Sequence, residues 1–203
     1  MPCSETELIA RLQDGDLEAF NALVLLYQDM LYNLAVRILQ DEDRAADALQ
    51  EALISAFRSL HTFHGGSFRL WLARAVINKC YDEYRRSVRH PVLPLTVHYD
   101  GEELEESERL RDPAPSLEAC FDTRELNRAI RACLKSLPFK YRTVLTLVDV
   151  EGLSYEEAAA ILGIPVGTVK SRLARARLSM RLALQAYRHL LPHAYRTTQA
   201  QPI

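Results

Sequence analysis

The chain has 203 residues, 48% of them hydrophobic and 26% charged, with a net charge of −2 at pH 7; this is the composition of an ordinary globular protein of one domain or two small ones. Its four cysteines, Cys3, Cys80, Cys120 and Cys133, form no CxxC pair and no His/Cys cluster of zinc spacing, so no metal or cofactor is expected. No apolar run approaches about 18 residues and no cleavable leader is read at the start, so the expectation is no membrane insertion and a reducing cytoplasm.

Glycines number only 7, and Ala, Leu, Arg and Glu are plentiful, which favours an all-α fold. Residues 5–39 read as two helices separated by the turn Asp14-Gly15-Asp16. In the second, Phe20, Leu23, Val24 and Tyr27 recur at helical spacing, continued by Leu31, Leu34, Ala35 and Ile38. Asp41 or Asp43 caps a third helix that runs to about Leu60, with Leu49, Leu53, Ala56, Phe57 and Leu60 as its apolar stripe. The loop 61–67 follows, and Phe68 to about Arg86 is helical again. Residues 88–119 read as a flexible acidic linker carrying Pro91, Pro94, Pro113 and Pro115, too long for a loop within one compact domain.

The linker divides the chain into a first domain, 1–87, and a second, 120–187, followed by a tail, 188–203. In the second domain Leu126, Ile130, Cys133, Leu134 and Leu137 form one stripe, and Tyr141 to Val150 reads as a helix ended by Gly152. Two more helices follow. Charge is unevenly placed: residues 1–67 carry −7, 68–90 carry +4, 91–125 carry −7 and 126–203 carry +8. Two basic blocks split by an acidic one suggest two anion-facing surfaces.

Ser154-Tyr155-Glu156-Glu157 is a capping box, since Ser154 and Glu157 can each satisfy the other's backbone N–H. Ala158, Ala159, Ile161 and Leu162 lie on the helix it starts, Gly163 supplies a left-handed turn, and a second helix begins near Val166. This is a helix-turn-helix layout. On the second helix Val169, Leu173, Ala176 and Met180 form the buried stripe. Lys170, Ser171, Arg172, Arg175 and Arg177 lie off it, with chemistry suited to base edges and phosphates. In the first domain Asp47, Gln50 and Glu51 share a helical face. Phe63 and Phe68 flank Gly65-Gly66, and Trp71, Tyr81 and Tyr84 are interleaved with Arg69, Arg74, Lys79, Arg85 and Arg86. That mixture suits single-stranded nucleic acid, although Trp71 and Phe68 also fit a core.

Residues 43–52 (DRAADALQEA), 65–78 (GGSFRLWLARAVIN), Arg85-Arg86, Leu137-Pro138, 152–163 (GLSYEEAAAILG) and 165–177 (PVGTVKSRLARAR) together resemble the extracytoplasmic-function class of bacterial sigma factors, in its minimal two-domain form. The resemblance covers roughly residues 15–87 and 120–185. It implies that Asp47, Gln50 and Glu51 dock on the β′ clamp of RNA polymerase core, with the β subunit a further partner. It also implies that the loop 61–67, including Phe63 and Ser67, acts with Asn78, Arg85 and Arg86 at the minus-ten element. Lys170, Ser171, Arg172 and Arg175 would read the minus-thirty-five element; Ala174 stands where some relatives carry a bulky residue. Promoter DNA and an anti-sigma protein are the further implied partners.

The expected function is therefore promoter-specific transcription initiation without catalysis by this chain, since neither a Walker-type phosphate loop nor a nucleophile motif is present. A stand-alone helix-turn-helix regulator is the alternative, and it would usually bind paired half-sites as a dimer. A non-DNA adaptor leaves the capping box and basic helix unexplained. Cys80 and Cys120 are considered as redox sensors, with an idle thiol the simpler reading.

Overall fold

In the computed structural model, residues 4–89 and 117–190 are described, with side chains omitted for 117–123. Residues 90–116 of the expected linker and most of the tail lie outside them; α4 runs on to Arg89 and α5 begins at Leu117, inside the expected linker bounds of 88–119. All regular structure among the described residues is helical. The first domain comprises α1 (Glu5–Gln13), α2 (Leu17–Leu39), α3 (Glu42–Arg58), a 3₁₀ turn (Leu60–Thr62) and α4 (Phe68–Arg89). The second comprises α5 (Leu117–Ser136), α6 (Phe139–Leu145), a π-helical turn (Thr146–Val150), α7 (Tyr155–Leu162), α8 (Val166–Leu184) and a final 3₁₀ segment (Gln185–Leu190).

Local chemistry sets the helix ends. Ser4 and Glu7 close a capping box on α1, and the Asp16 carboxylate accepts from the backbone N–H groups of Glu18 and Ala19 to start α2. Asp41 accepts from the Arg44 N–H at 3.0 Å and starts α3. Each bond satisfies a donor that the first helical turn leaves without an intrahelical partner.

α2 is the centre of the first domain. It is long and apolar enough to cross a bilayer by length and composition alone, which the sequence reading did not register. Yet it buries Ala19, Phe20, Leu23, Leu31, Leu34, Ala35 and Ile38 within the fold. The contact face of α3 differs from the stripe read in the sequence. Its buried residues are Ala45, Ala48, Ala52 and Ala56, whereas Leu49 and Leu53 are half-buried and Phe57 is 43% exposed. Small side chains let α3 lie close to α2 and α4, and the larger ones are left at the margin. Against them α4 buries Phe68, Leu72, Ala73, Val76, Ile77 and Cys80.

The second domain packs α6, α7 and α5 around α8, which buries Val169, Leu173 and Ala176 as the periodicity indicated, while Met180, expected on the same stripe, is half-buried. The helix expected over Tyr141–Val150 changes character at Thr146, where the Glu151 N–H donates to the Thr146 carbonyl at 2.9 Å, five residues apart. Thr143, Val144, Thr146, Val148 and Val150 are β-branched and weaken regular helix there.

The two domains touch. One hydrophobic core runs from Leu8 through to Ala176, a feature not read from the sequence. Leu147 and Leu153 face Met30, Leu34, Leu70 and Ala73 across a residual void of about 10 Å³.

Two outcomes follow from this packing. Ser154→Ala removes one half of the α7 capping box and is expected to cost about 1 kcal/mol, seen as a Tm lower by a few degrees in thermal circular dichroism; an unchanged Tm would show that the cap contributes nothing. Burial pushes the Cys80 thiol up to about 12, and thiolate is the reactive form. Iodoacetamide at pH 8 should therefore leave Cys80 unmodified in the folded protein and alkylate it in guanidinium, as mapped by mass spectrometry. Rapid native labelling would restore the redox-sensor reading.

Candidate nucleic-acid interface

The helix-turn-helix is built from paired caps. The Glu157 N–H donates to Ser154 Oγ at 3.1 Å, and the Ser154 N–H donates to Glu157 Oε2 at 2.8 Å. These bonds hold the Glu157 carboxyl below the usual carboxylate range, the Ser154 N–H contributing most. Gly163 ends α7 at φ 63°, a left-handed conformation costly to any residue with a Cβ. Pro165 then precedes α8 with φ near −60°, which points α8 away at a fixed angle.

Lys170, Ser171 and Arg175 are exposed on α8, and Arg172 is half-buried. Ser171, Arg175, Leu178 and Leu182 follow one line at i, i+4, i+7 and i+11, opposite the buried stripe. Its first half is polar and its second apolar, since Leu178 and Leu182 are 56% and 57% exposed. Lys170 Nζ lies 5.6 Å from the centroid of the Tyr155 ring. The Arg175 guanidinium beside Tyr141 holds the tyrosine phenol below its ordinary value.

Arg177 has a different task from the one its place off the stripe suggested. Its Nη2 donates to Asp149 Oδ1 at 2.6 Å and its Nε to Oδ2 at 3.0 Å, a two-pronged ion pair. The pair ties α8 to the π turn and raises the Arg177 pKa, the Asp149 hydrogen bond being the main cause. Asp149 was not singled out in the sequence because its partner is 28 residues away.

In the first domain the loop 61–67 does not present Phe63 and Phe68 as free aromatic surface. Phe68 is fully buried and Phe63 is 8% exposed. Their rings meet edge to face at 5.3 Å, and Phe63 lies 5.5 Å from Trp71. The loop is thus anchored by aromatic packing. Ser67 Oγ accepts from the Leu70 N–H at 3.3 Å, so this residue caps α4 while remaining exposed. Beside the loop is an open groove of about 590 Å³ lined by Leu12, Gln13, Gly15, Leu60, His61, Phe63 and His64. The α1 residues of this groove are a further structural finding; nothing in their local sequence marks them.

Along α4, half-buried Trp71 and exposed Arg74, Asn78 and Arg85 occupy one face. Arg85 pairs with Asp82 at 3.7 Å and Arg86 with Glu83 at 2.7 Å; both pairs are exposed on the arginine side, and such contacts exchange readily for phosphate. Tyr81 lies on the same line, three residues beyond Asn78, and both it and Tyr84 pack against the Phe139 ring of α6.

Asp47, Gln50 and Glu51 are exposed on α3 as expected, with Glu51 Oε2 3.5 Å from Lys79 Nζ. Among them sits Ile54, 45% exposed, with Phe57 a turn further on. A solvated polar face has no need of an isoleucine beside it; an exposed apolar residue next to Asp47, Gln50 and Glu51 suits a protein partner.

Comparison with known proteins agrees with both halves of this geometry. Residues 23–90 match the model of sigma-70 region 2, and residues 127–180 match that of sigma-70 region 4. The chain is 39% identical over 182 residues to the RNA polymerase sigma-H factor of Pseudomonas aeruginosa, covering 89% of this chain and 94% of the relative. It is 37% identical over 171 residues to the ECF RNA polymerase sigma-E factor of Escherichia coli K12, covering 84% and 88%. Its backbone is similar to that of the sigma factor RpoE from Bartonella quintana, solved in complex with the anti-sigma factor NepR. The TM-score is 0.63 at 25% identity, covering 83% of this chain and 98% of that one. It is also similar to CnrH, solved with the cytosolic domain of CnrY, with a TM-score of 0.60 at 26% identity, covering 88% and 96%.

Proposed function

Since the chain belongs to the sigma-70 family, in the extracytoplasmic-function class of RNA polymerase sigma factors, and so directs transcription initiation, we propose a division of that work among its surfaces. Residues 1–87 form the unit that binds polymerase core and opens the minus-ten element. Residues 120–187 form the unit that reads the minus-thirty-five element, and 88–119 join them. The observation that carries the proposal is the separation of two unlike faces, the Asp47, Gln50, Glu51 and Ile54 face on α3 and the Lys170, Ser171 and Arg175 face on α8.

The α3 face takes the β′ clamp of the core enzyme, where acidic groups steer association and Ile54 supplies desolvated contact. The α8 face enters the major groove: Lys170 and Arg175 reach base edges or phosphates, Ser171 a phosphate, and Arg172 joins them from the side. The groove beside residues 61–67, with Ser67, Asn78, Arg85 and Arg86, receives unstacked bases of the downstream element. Phe63 forms its floor. Extruding a base costs a few kcal/mol, and stacking and pocket contacts return about 1–3 kcal/mol per base. The balance is close, so the preferred sequence opens and others do not.

The chain itself performs no bond chemistry in this scheme and works in the cytoplasm. RpoE was solved bound to an anti-sigma factor, and a comparable inhibitory protein partner is proposed for this chain.

The decisive experiment adds the purified protein to polymerase core and transcribes a promoter library in vitro. Transcripts from a small set of promoters sharing two spaced motifs are expected. Failure to transcribe, with tight binding of paired duplex half-sites by the protein alone, would favour a stand-alone regulator. Replacing Asp47 and Glu51 by Arg should weaken core binding at least tenfold without changing Tm, measured by fluorescence titration against labelled core; unchanged affinity would remove that face from the scheme. Arg175→Ala should cost about 1–3 kcal/mol on the preferred upstream element, whereas an equal loss on every sequence would make Arg175 a phosphate contact.

A further inference from the structure

A row of cations runs along α5. Arg124, Arg128, Arg131 and Lys135 follow one another at i, i+4, i+7 and i+11, and all of them are exposed. At about 100° per residue they fall within an arc of about 60°, and at about 1.5 Å per residue the row is roughly 16 Å long. The opposite side of the same helix buries Ala129, Cys133 and Leu134. No acidic or apolar residue between 124 and 135 shares the arc. Glu125 lies about 100° from Arg124 and is half-buried, and the flanking exposed positions are Asn127 and Ala132. Each neighbouring pair in the row is like-charged, at the spacings where opposite charges support a helix and like charges weaken it. The buried Arg142 of α6 adds positive charge at one end, since its Nη1 donates to the Leu134 and Lys135 carbonyls at 3.4 and 3.3 Å.

The row is separate from the reading face of α8. α5 packs against α8, and each row lies opposite the side by which its own helix is buried. They therefore leave the second domain on different sides, and a duplex seated on Lys170, Ser171 and Arg175 does not cover α5.

The chemistry of the row selects its partner. Its arc holds no aromatic ring, on which single strands stack, and no amide or hydroxyl to complement a base edge. Among the described residues α5 exposes no large apolar side chain, unlike α3 with Ile54, so the row lacks the apolar anchor on which a protein interface is built. What remains is a straight array of positive charge, which matches a regular polyanion. Duplex DNA carries about one phosphate charge per 1.7 Å of axis, or roughly ten over the length of the row.

We propose that Arg124, Arg128, Arg131 and Lys135 of α5 form a second, sequence-blind seat for duplex DNA, which grips phosphates while α8 reads sequence. The seat lengthens the stay of the chain on any duplex and leaves discrimination to α8. It goes beyond the reading of the upstream element and does not depend on which bases α8 prefers. Its contribution comes from counterion release and so weakens steeply with salt.

The test titrates the full chain against a labelled random-sequence duplex of about 20 base pairs at several salt concentrations. The fourfold variant Arg124→Gln, Arg128→Gln, Arg131→Gln, Lys135→Gln retains good helix formers. The double variant Arg124→Gln, Lys135→Gln changes only the two ends of the row and serves if the fourfold variant melts early by circular dichroism. Plotted as log affinity against log salt, the slope should shrink by about 3 to 4 in the fourfold variant and by about 2 in the double, at roughly 0.9 per phosphate contact. Binding at low salt should weaken about tenfold or more. Added to Lys170→Gln, Arg175→Gln in α8, the same substitutions should lower the slope by the same amount again. An unchanged slope, or a loss seen only with the α8 substitutions, would overturn the proposal. A single-stranded RNA of the same length bound more tightly than the duplex, and lost with the row, would make RNA the partner instead. Poly-glutamate competing as strongly as unlabelled duplex would make the partner an acidic protein, and would equally overturn the duplex seat. These titrations need neither polymerase nor promoter. Loss of duplex binding with the row, in a chain whose α8 proves to read no element, would support the seat while removing the proposed role of α8.

Discussion

The five-residue turn Thr146–Val150 governs both where the second domain sits and how its recognition helix is held. Residues 147 and 151 leave it on the side of the first domain, and residue 149 leaves on the other. Leu147 enters the core near Met30, Leu34 and Ala73, Glu151 meets Arg37 and Arg69, and Asp149 grips Arg177 of α8. A regular α-helical register would carry these three side chains to other azimuths, because each residue advances the helix by about 100°. The turn has a cost: Thr146 Oγ1 is buried without a protein partner, a deficit of the kind often found at sites under functional constraint. The same segment therefore positions α8, the helix proposed to read DNA, and fixes the domain contact.

In the first domain the equivalent constraint is steric. The line Ala45, Ala48, Ala52 and Ala56 allows α3 to approach α2 and α4 closely, and so turns the opposite side of α3 outward. The outer face gains not only Asp47, Gln50 and Glu51 but also Ile54 and part of Phe57. Phe57 is still tied to the core by an edge-to-face contact with Phe20 at 5.4 Å. Apolar surface left outside in this manner is worth about 25 cal/mol per Å² to whatever covers it, and the surrounding acids determine which partners are attracted.

Sequence periodicity revealed most of the architecture because most of it is set locally. The caps at Asp16 and Ser154, the Gly163 turn and the buried stripe Val169, Leu173, Ala176 depend on neighbours within a few residues, and they stand as read. The α3 stripe was legible only in part: Ala56 is buried and Leu49, Leu53 and Leu60 pack at the edge of the core, but Ala45, Ala48 and Ala52 carry the closest contact. Hydrophobicity favours Leu49 and Leu53 over alanine, but closeness of approach, which no single-helix pattern encodes, selects the alanines. The π turn escaped notice because β-branched residues lower helix preference without specifying what replaces it. Loop position suggests a Phe63 available to a base and leaves Phe68 and Trp71 open between core and surface; only the fold shows that Phe63 and Phe68 close on each other and on Trp71. The pairs Arg37–Glu151 and Phe139–Tyr84 link residues 114 and 55 positions apart, beyond any motif.

The two faces of the first domain respond differently to domain contact. Tyr81 and Tyr84 on α4 are engaged by Phe139, while Asp47, Gln50 and Ile54 on α3 remain exposed in the same arrangement. Under the proposed division of work, the α3 face is therefore open to polymerase core while the domains touch. On the same division, duplex DNA bearing only the upstream element is read by α8 alone, where Lys170, Ser171 and Arg175 are exposed and Arg172 is half-buried close to Tyr81 of α4.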